Sequence, residues 1–311
     1  MRRLMKLPVT RLGPQQIGGM SAIAATMAGL IYLSLAQAPV SMIVVNLAAL
    51  GFGMLLLLGE RIARSGGGFT STLMLVMALL LLVTALFGEA TEGARRWIMV
   101  GPLFIQSSLI VLPALILLFV GRRTMLSVLA MVIAALSLAL QPDRAMAGAL
   151  LAAMVTLSVV RFDRTLLIPL AASLAAFTVT VVRSDTVPAV PFVDQVYYSA
   201  FELHWLCGAL VLGGTALLLL PAFAAAWSTG TGRDRCIVFG TIWLALILAA
   251  ALGDYPTPVV GYSGAAILGY VLSIAVLPRK TCKQTTRELQ ADDGERSLRE
   301  GEDMKRIPVM E

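Results

Sequence analysis

The residues able to do chemistry fall into four short clusters. The richest is the stretch Asp194 to Gly208, which carries Asp194, Glu202, Tyr197, Tyr198 and the single histidine, His204. A positioned carboxylate such as Asp194 can take the proton of an attacking hydroxyl. Glu202 follows about two helical turns later. A carboxylate near or inside an apolar span is costly unless paired or hydrated, so Glu202 is a functional candidate by position. His204 is expected to be a hydrogen-bonded packing residue, and Tyr197 and Tyr198 to sit at a lipid–water interface.

A second cluster is Gly93-Ala94-Arg95-Arg96-Trp97-Ile98, followed by Gly101-Pro102-Leu103 and Gln106-Ser107-Ser108. Guanidinium groups grip phosphate oxygens in pairs, and tryptophan suits the headgroup level. Arg95, Arg96 and Trp97 could therefore hold a lipid-linked phosphate or diphosphate. The simpler reading is headgroup anchoring, with pairing to Glu89 and Glu92. The third cluster, Gln141-Pro142-Asp143-Arg144, reads as a turn between two helices with Asp143 capping the second. The fourth runs from Gly253 to Ala266 and contains Asp254, Pro256, Pro258 and Tyr262. Its alternating prolines force a non-helical segment near membrane depth, tolerated only where buried in protein or lining a wet cavity. The bland alternative is a rigid interhelical loop.

The elements that must position these clusters are membrane helices. Hydrophobic residues make up 58% of the 311, charged residues only 14%, and the mean hydropathy is +0.86. Apolar runs of about 20 residues recur, the length that crosses a hydrocarbon core. They do not alternate as barrel strands would. The fold class is an all-α integral membrane protein of about ten helices, at roughly 17–36, 40–59, 70–88, 98–120, 124–141, 145–160, 165–182, 199–226, 235–253 and 260–278. The first run is expected to be a retained helix, not a removed signal peptide. Cys207, Cys236 and Cys282 show no metal or disulfide spacing, and one histidine excludes His-based metal clusters.

Charge orients these spans. With the N-terminus inside, the short inner segments carry Arg2, Arg3, Lys6, Arg11, Arg61, Arg64, Arg122, Arg123, Arg161, Arg164, Arg233 and Arg235. The outer ones carry only Arg95, Arg96, Arg144 and Arg183. All four chemical clusters then lie on the outer face. The net charge of +6 reflects this topology and anionic inner-leaflet lipid, not nucleic-acid binding. Three parts follow: a cytoplasmic segment 1–16, a membrane domain 17–278, and a charged cytoplasmic tail 279–311, expected to be disordered. The tail holds eight basic and eight acidic residues.

Together, in this order, the four clusters resemble the SEDS family (FtsW, RodA and SpoVE), ten-span proteins that polymerise lipid II into glycan strands. Gly93 to Ile98 is similar to the family's GARRW motif, with Gly101 and Gln106 trailing it. Gln141-Pro142-Asp143 is similar to its QPD. Pro256, Pro258, Val260, Tyr262, Gly264 and Ala266 fall on its PLPxVSYGGSA loop. With Asp194 placed on the family's HTDF aspartate, Glu202 and Gly208 fall on EELGxxG without a gap. The likeness covers roughly residues 15–280.

The resemblance implies a peptidoglycan glycosyltransferase of cell division or shape in the bacterial cytoplasmic membrane. Asp194 would be the general base and Glu202 would stand beside it. Arg95 and Arg96 would face the departing diphosphate, and Trp97, Gln106, Asp143, Pro256, Pro258 and Tyr262 would line the substrate site. The implied partners are lipid II or a related polyprenyl-diphosphate sugar, membrane lipids and a class B penicillin-binding protein. No cofactor is expected, and any need for a divalent cation is left open. The departures are specific. Leu109 and Leu112 replace a glutamate and a lysine that project into the family's central cavity. The histidine before the aspartate is missing, as is a large outer loop. These departures suit a second reading, a non-catalytic membrane scaffold that binds a lipid-linked precursor or a partner.

Overall fold

The computed structural model describes residues 12–59, 67–91, 93–183 and 187–279. Pro14–Pro278 form one compact unit. Nearly all of the second unit, Met1–Gly13 with Arg279–Glu311, lies outside the described residues, and so does the charged tail.

Among the described residues, twelve α-helices and one small sheet build the main unit. The first three helices, α1 (Pro14–Leu35), α2 (Val40–Gly59) and α3 (Gly67–Phe87), lead into three antiparallel strands, β1 (Glu89–Thr91), β2 (Ala94–Val100) and β3 (Leu103–Gln106). Then come α4 (Ser107–Gly121), α5 (Met125–Leu140), α6 (Arg144–Val160) and α7 (Leu167–Val182). The last group is α8 (Val196–Leu203), α9 (Trp205–Leu217), α10 (Leu220–Phe223), α11 (Gly230–Leu252) and α12 (Gly264–Ala275). Among the described residues, six helical stretches are long and apolar enough to cross a membrane. Four shorter apolar helices, α4, α5, α6 and α12, lie at the other anticipated positions.

Two anticipated spans are corrected. The fourth does not begin near residue 98, because residues 94–106 form the β2–β3 hairpin, with Trp97 paired to Gln106 and Val100 to Leu103 around Gly101-Pro102. Gly101 takes a left-handed φ of 58° that this tight turn requires. The eighth is not one continuous helix. It breaks at His204, whose extended backbone ends α8 and starts α9. Here the His204 side chain accepts from the Leu206 N–H at 3.1 Å, an N-cap role.

Helix α4 is the centre of the bundle. Leu109, Leu112, Leu115, Ile116, Leu117 and Phe119 on it are all buried, and a helix apolar on every side belongs in a core. Helix α12 lies hard against it, since a side chain at Gly269 would run into the Leu109 carbonyl. The outer helices divide into two stripes instead. On α2, Val40, Val44, Leu47, Leu55 and Leu58 are exposed, whereas Asn46, Ala49, Leu50 and Gly53 are buried. An exposed stripe of large apolar residues, Phe52 among them, is a lipid-facing surface.

Candidate functional site

The first ensemble is made by two segments that cannot be helical. Pro256 and Pro258 withhold backbone donors and keep residues 254–263 out of helix, and Pro188 and Pro191 do the same before α8. These two segments find each other to satisfy their backbones. Thr257 donates its N–H to the Val193 carbonyl at 2.9 Å, and Tyr262 to that of Phe192 at 2.7 Å. Asp194 and Pro256 form an antiparallel bridge. The Asp194 carboxylate accepts the Val190 N–H at 2.7 Å, and the residue is 9% exposed. Gln195 and Asp254, both exposed, are hydrogen-bonded beside it. Three non-glycine residues are left-handed here, Phe192 at φ 67°, Gln195 at 55° and Val259 at 66°. Such strain, about 1–3 kcal/mol each, persists only where the surroundings over-determine it and clusters at functional sites.

The surroundings do over-determine it. Asn46, fully buried on α2, donates to the Gly261 carbonyl at 2.8 Å and accepts the Ser263 N–H at 3.1 Å. Gly29 on α1 lets the loop press in, because a Cβ there would stand 2.5 Å from the Val260 carbonyl oxygen. Gly214 on α9 does the same for the Val260 side chain. Thr257 to Gly261 are buried, while Pro256 and Tyr262 are partly open. Sequence reasoning named Pro256, Pro258 and Tyr262 but missed Asn46. A lone amide in an apolar span was the available signal.

Helix α8 carries the cluster onward. Tyr198 donates its hydroxyl to the Ala251 carbonyl at 2.6 Å, and Ser199 bonds the Tyr32 hydroxyl at 2.8 Å. Glu202 is exposed on the last turn, about 9 Å of helix rise beyond Val196. Gly208 is needed where it is, since a side chain there would strike the Phe201 ring folded back over the helix break. Tyr197 is corrected: it is 6% exposed and belongs to the core, whereas Tyr198 is exposed. The helix face turns Tyr197 toward α9 instead of outward. His204 is exposed and stacks on Trp205 with ring centroids 5.9 Å apart.

The second ensemble gathers Arg96, Gln106 and Asp143. Strand pairing turns Arg96 inward and Arg95 outward, because successive side chains alternate. Arg96 is 4% exposed and donates to the Gln141 carbonyl at 3.2 Å and to the Pro142 carbonyl. Gln106 and Ser108 both donate to one oxygen of Asp143, at 3.0 and 2.8 Å. The other oxygen caps α6 by accepting the Met146 N–H at 3.2 Å. Gln141 donates to the Leu81 carbonyl at 2.8 Å. These bonds tie the hairpin to the α5–α6 turn and to α3. The exposed Arg95 donates to the Leu86 carbonyl at 2.7 Å. Trp97 is half-buried.

No family model and no curated protein matches the chain. Solved structures do. The Rod shape determining protein RodA of Thermus thermophilus superposes with a TM-score of 0.57 at 22% identity, over 83% of this chain and 94% of that one. The fold is SEDS-like. A mutant of the same RodA gives a TM-score of 0.58 at 22% identity, over 83% of this chain and 95% of its own. A third structure, described as the structural coordination of polymerization and crosslinking by a peptidoglycan synthase complex, gives 0.56 at 25% identity, over 83% of this chain and 95% of that one. This SEDS-like chain is thus an all-α multi-pass membrane protein. Within that fold, Leu109 and Leu112 are 4% and 0% exposed on the central helix.

Proposed function

We propose that this chain is a SEDS-type protein of peptidoglycan assembly that handles lipid II, or a related polyprenyl-diphosphate sugar, at the outer face of the bacterial cytoplasmic membrane. Ten helical segments cross the bilayer with both termini inside. The reaction is glycosyl transfer. Asp194 takes the proton from the acceptor hydroxyl as that oxygen attacks the donor's anomeric carbon, and the polyprenyl diphosphate leaves. Arg95 meets the leaving charge from the exposed side of β2. Glu202, exposed on α8, borders the acceptor. A class B penicillin-binding protein is the partner, in division or in elongation; the neighbouring peptidoglycan synthase complex supports this reading.

The observation that carries it is the Asp194 junction, a carboxylate bridged to Pro256 within strained, tethered backbone. The test is polymer formation from labelled lipid II by the purified protein, alone and with a class B penicillin-binding protein. Wild type is expected to make polymer and Asp194→Ala to make none. Orientation is checked with Gln195→Cys and Arg164→Cys, each in a cysteine-free background. Only the first should react with an impermeant thiol reagent applied from outside.

A second reading rests on the central helix. Leu109 and Leu112 are packed and uncharged, and Arg96, Gln106 and Asp143 bond one another's segments. A scaffold that binds a lipid-linked precursor or a division or elongation partner needs no more than this. It predicts that wild type and Asp194→Ala bind lipid II equally and that neither polymerises it.

A further inference from the structure

Two side-chain bonds join the start of α8 to the end of α11 and the residues just after it. Gln195, the N-cap of α8, donates through its amide to the Asp254 carboxylate at 2.5 Å. Tyr198, three residues on, donates its hydroxyl at 2.6 Å to the carbonyl of Ala251, three residues before Asp254. Gln195, Tyr198 and Asp254 are all exposed. They stand at the junction already described, since Gln195 follows Asp194 and Asp254 lies two residues before its bridge partner Pro256.

The two segments do not depend on these bonds. The Thr257 and Tyr262 N–H groups already tie them, and an exposed hydrogen bond adds little. Gln195 is also poorly chosen for its place. It has a left-handed φ of 55°, and its side chain caps no backbone donor of α8. Glycine, asparagine or aspartate would suit that conformation and that cap better. Local rules broken without a local gain mark functional positions. Among the described residues Asp254 has no cationic partner. A tyrosine of the interface belt turns its hydroxyl to water or headgroups. The Tyr198 hydroxyl is instead tied back to the protein, which fixes the ring while the residue stays 56% exposed.

A fixed aromatic ring beside a carboxylate and an amide is the chemistry that takes a sugar. One face of a pyranose ring presents C–H groups, which pack on an aromatic surface. Its hydroxyls both donate and accept. Beyond their mutual bond, Asp254 can accept, and Gln195 has a second amide hydrogen to donate and an oxygen to accept. A charged ligand would call for donors alone or acceptors alone. We propose that Tyr198, Gln195 and Asp254 form a binding site for one pyranose ring of a lipid-linked saccharide, beside Asp194. This rests on the reading of that face as one that handles a polyprenyl-diphosphate sugar, and it adds the residues that recognise the sugar itself.

The test uses the full-length protein in lipid nanodiscs free of sugar detergent. The probe is the soluble disaccharide N,N′-diacetylchitobiose, which carries neither lipid nor diphosphate. Saturation-transfer NMR reads its affinity and the protons in contact. Wild type is expected to bind with a Kd of about 1 mM, with transfer strongest to the ring C–H protons. Tyr198→Ala and Q195A/D254A should each weaken binding about tenfold. Trp205→Ala removes another exposed aromatic residue, beyond the helix break, and should bind as wild type does. Melting temperatures are recorded on the same samples. Asp254→Asn leaves Gln195 an acceptor and should still weaken binding about threefold, so the site is judged even where a truncated side chain unfolds the loop. Polymer formation from labelled lipid II by wild type is measured alongside. Binding without polymer keeps this site and removes the glycosyl-transfer reading, and polymer without disaccharide binding does the reverse. The proposal is overturned if wild type shows no transfer to the disaccharide, or if Trp205→Ala loses as much as Tyr198→Ala. Wild-type binding by both Asp254→Asn and Q195A/D254A overturns it too.

Discussion

Two buried carboxylates sit beside proline turns in this molecule, and they are held in opposite ways. Asp143 is 1% exposed and takes its named donors from Gln106, Ser108 and the first turn of α6. Its surroundings are mostly regular, a hairpin, a helix cap and a two-helix turn, with one exception in Pro142 beside it at φ 23°. Asp194 lies at 9% exposure in irregular backbone with left-handed residues on the same segment and across the bridge. Exposed Gln195 and Asp254 stand next to it. The first arrangement uses polar side chains to join elements. The second uses joined elements to hold a polar side chain at a rim. A network of the first kind should show itself in stability, and a junction of the second kind in activity.

That contrast can be broken at several points. The largest effect is expected for Asp143→Ala, which leaves the Ser108 hydroxyl buried without its acceptor, leaves the Gln106 amide only its bond to Ser108, and removes a helix cap. Together these should cost about 3–5 kcal/mol, read as a fall in the melting temperature of the detergent-solubilised protein. Arg96→Ala should follow closely, because it unties the hairpin from the Gln141 and Pro142 carbonyls. Next comes Asn46→Ala. It orphans the Gly261 carbonyl and the Ser263 N–H, for about 2–3 kcal/mol, and protease cleavage within 254–263 should rise with it. Equal stability of Asn46→Ala and wild type would show that α2 does not hold the loop. Asp194→Ala should cost less, about 1–2 kcal/mol, the Val190 N–H bond to the carboxylate being among those lost. Arg95→Ala, at an exposed strand position, should shift stability by less than about 0.5 kcal/mol. It should still weaken binding of the polyprenyl diphosphate.

Much of this architecture was legible in the sequence, for physical reasons that also mark the limits. Long apolar runs had to be helices, and helix lies at every anticipated position, although the fourth starts only at Ser107 and the eighth is split at His204. Asp143 before an apolar run read as a cap, and it caps α6. The prolines at 256 and 258 announced the irregular loop. The hairpin was missed because Trp97-Ile98-Met99-Val100 and Leu103-Phe104-Ile105 raise the local apolar content as a helix would. Short apolar runs cannot be divided between strand and helix by periodicity. Gly101-Pro102 was the turn signal that could have done so. The break at His204 had no glycine or proline to announce it. The direction of Arg96 also needed the strand, because alternation decides which arginine of the pair faces inward. Asn46 needed the fold itself, since its partners lie more than two hundred residues away in sequence.

The central claim, that Asp194 is held for chemistry while Asp143 is held for structure, is tested most directly by one assay. Polymer formed from labelled lipid II is measured for Asp194→Ala against wild type, with the class B penicillin-binding protein present and the melting temperature recorded on the same samples. The account predicts a variant that melts within a few degrees of wild type and makes no polymer. A variant that makes polymer at the wild-type rate would contradict it.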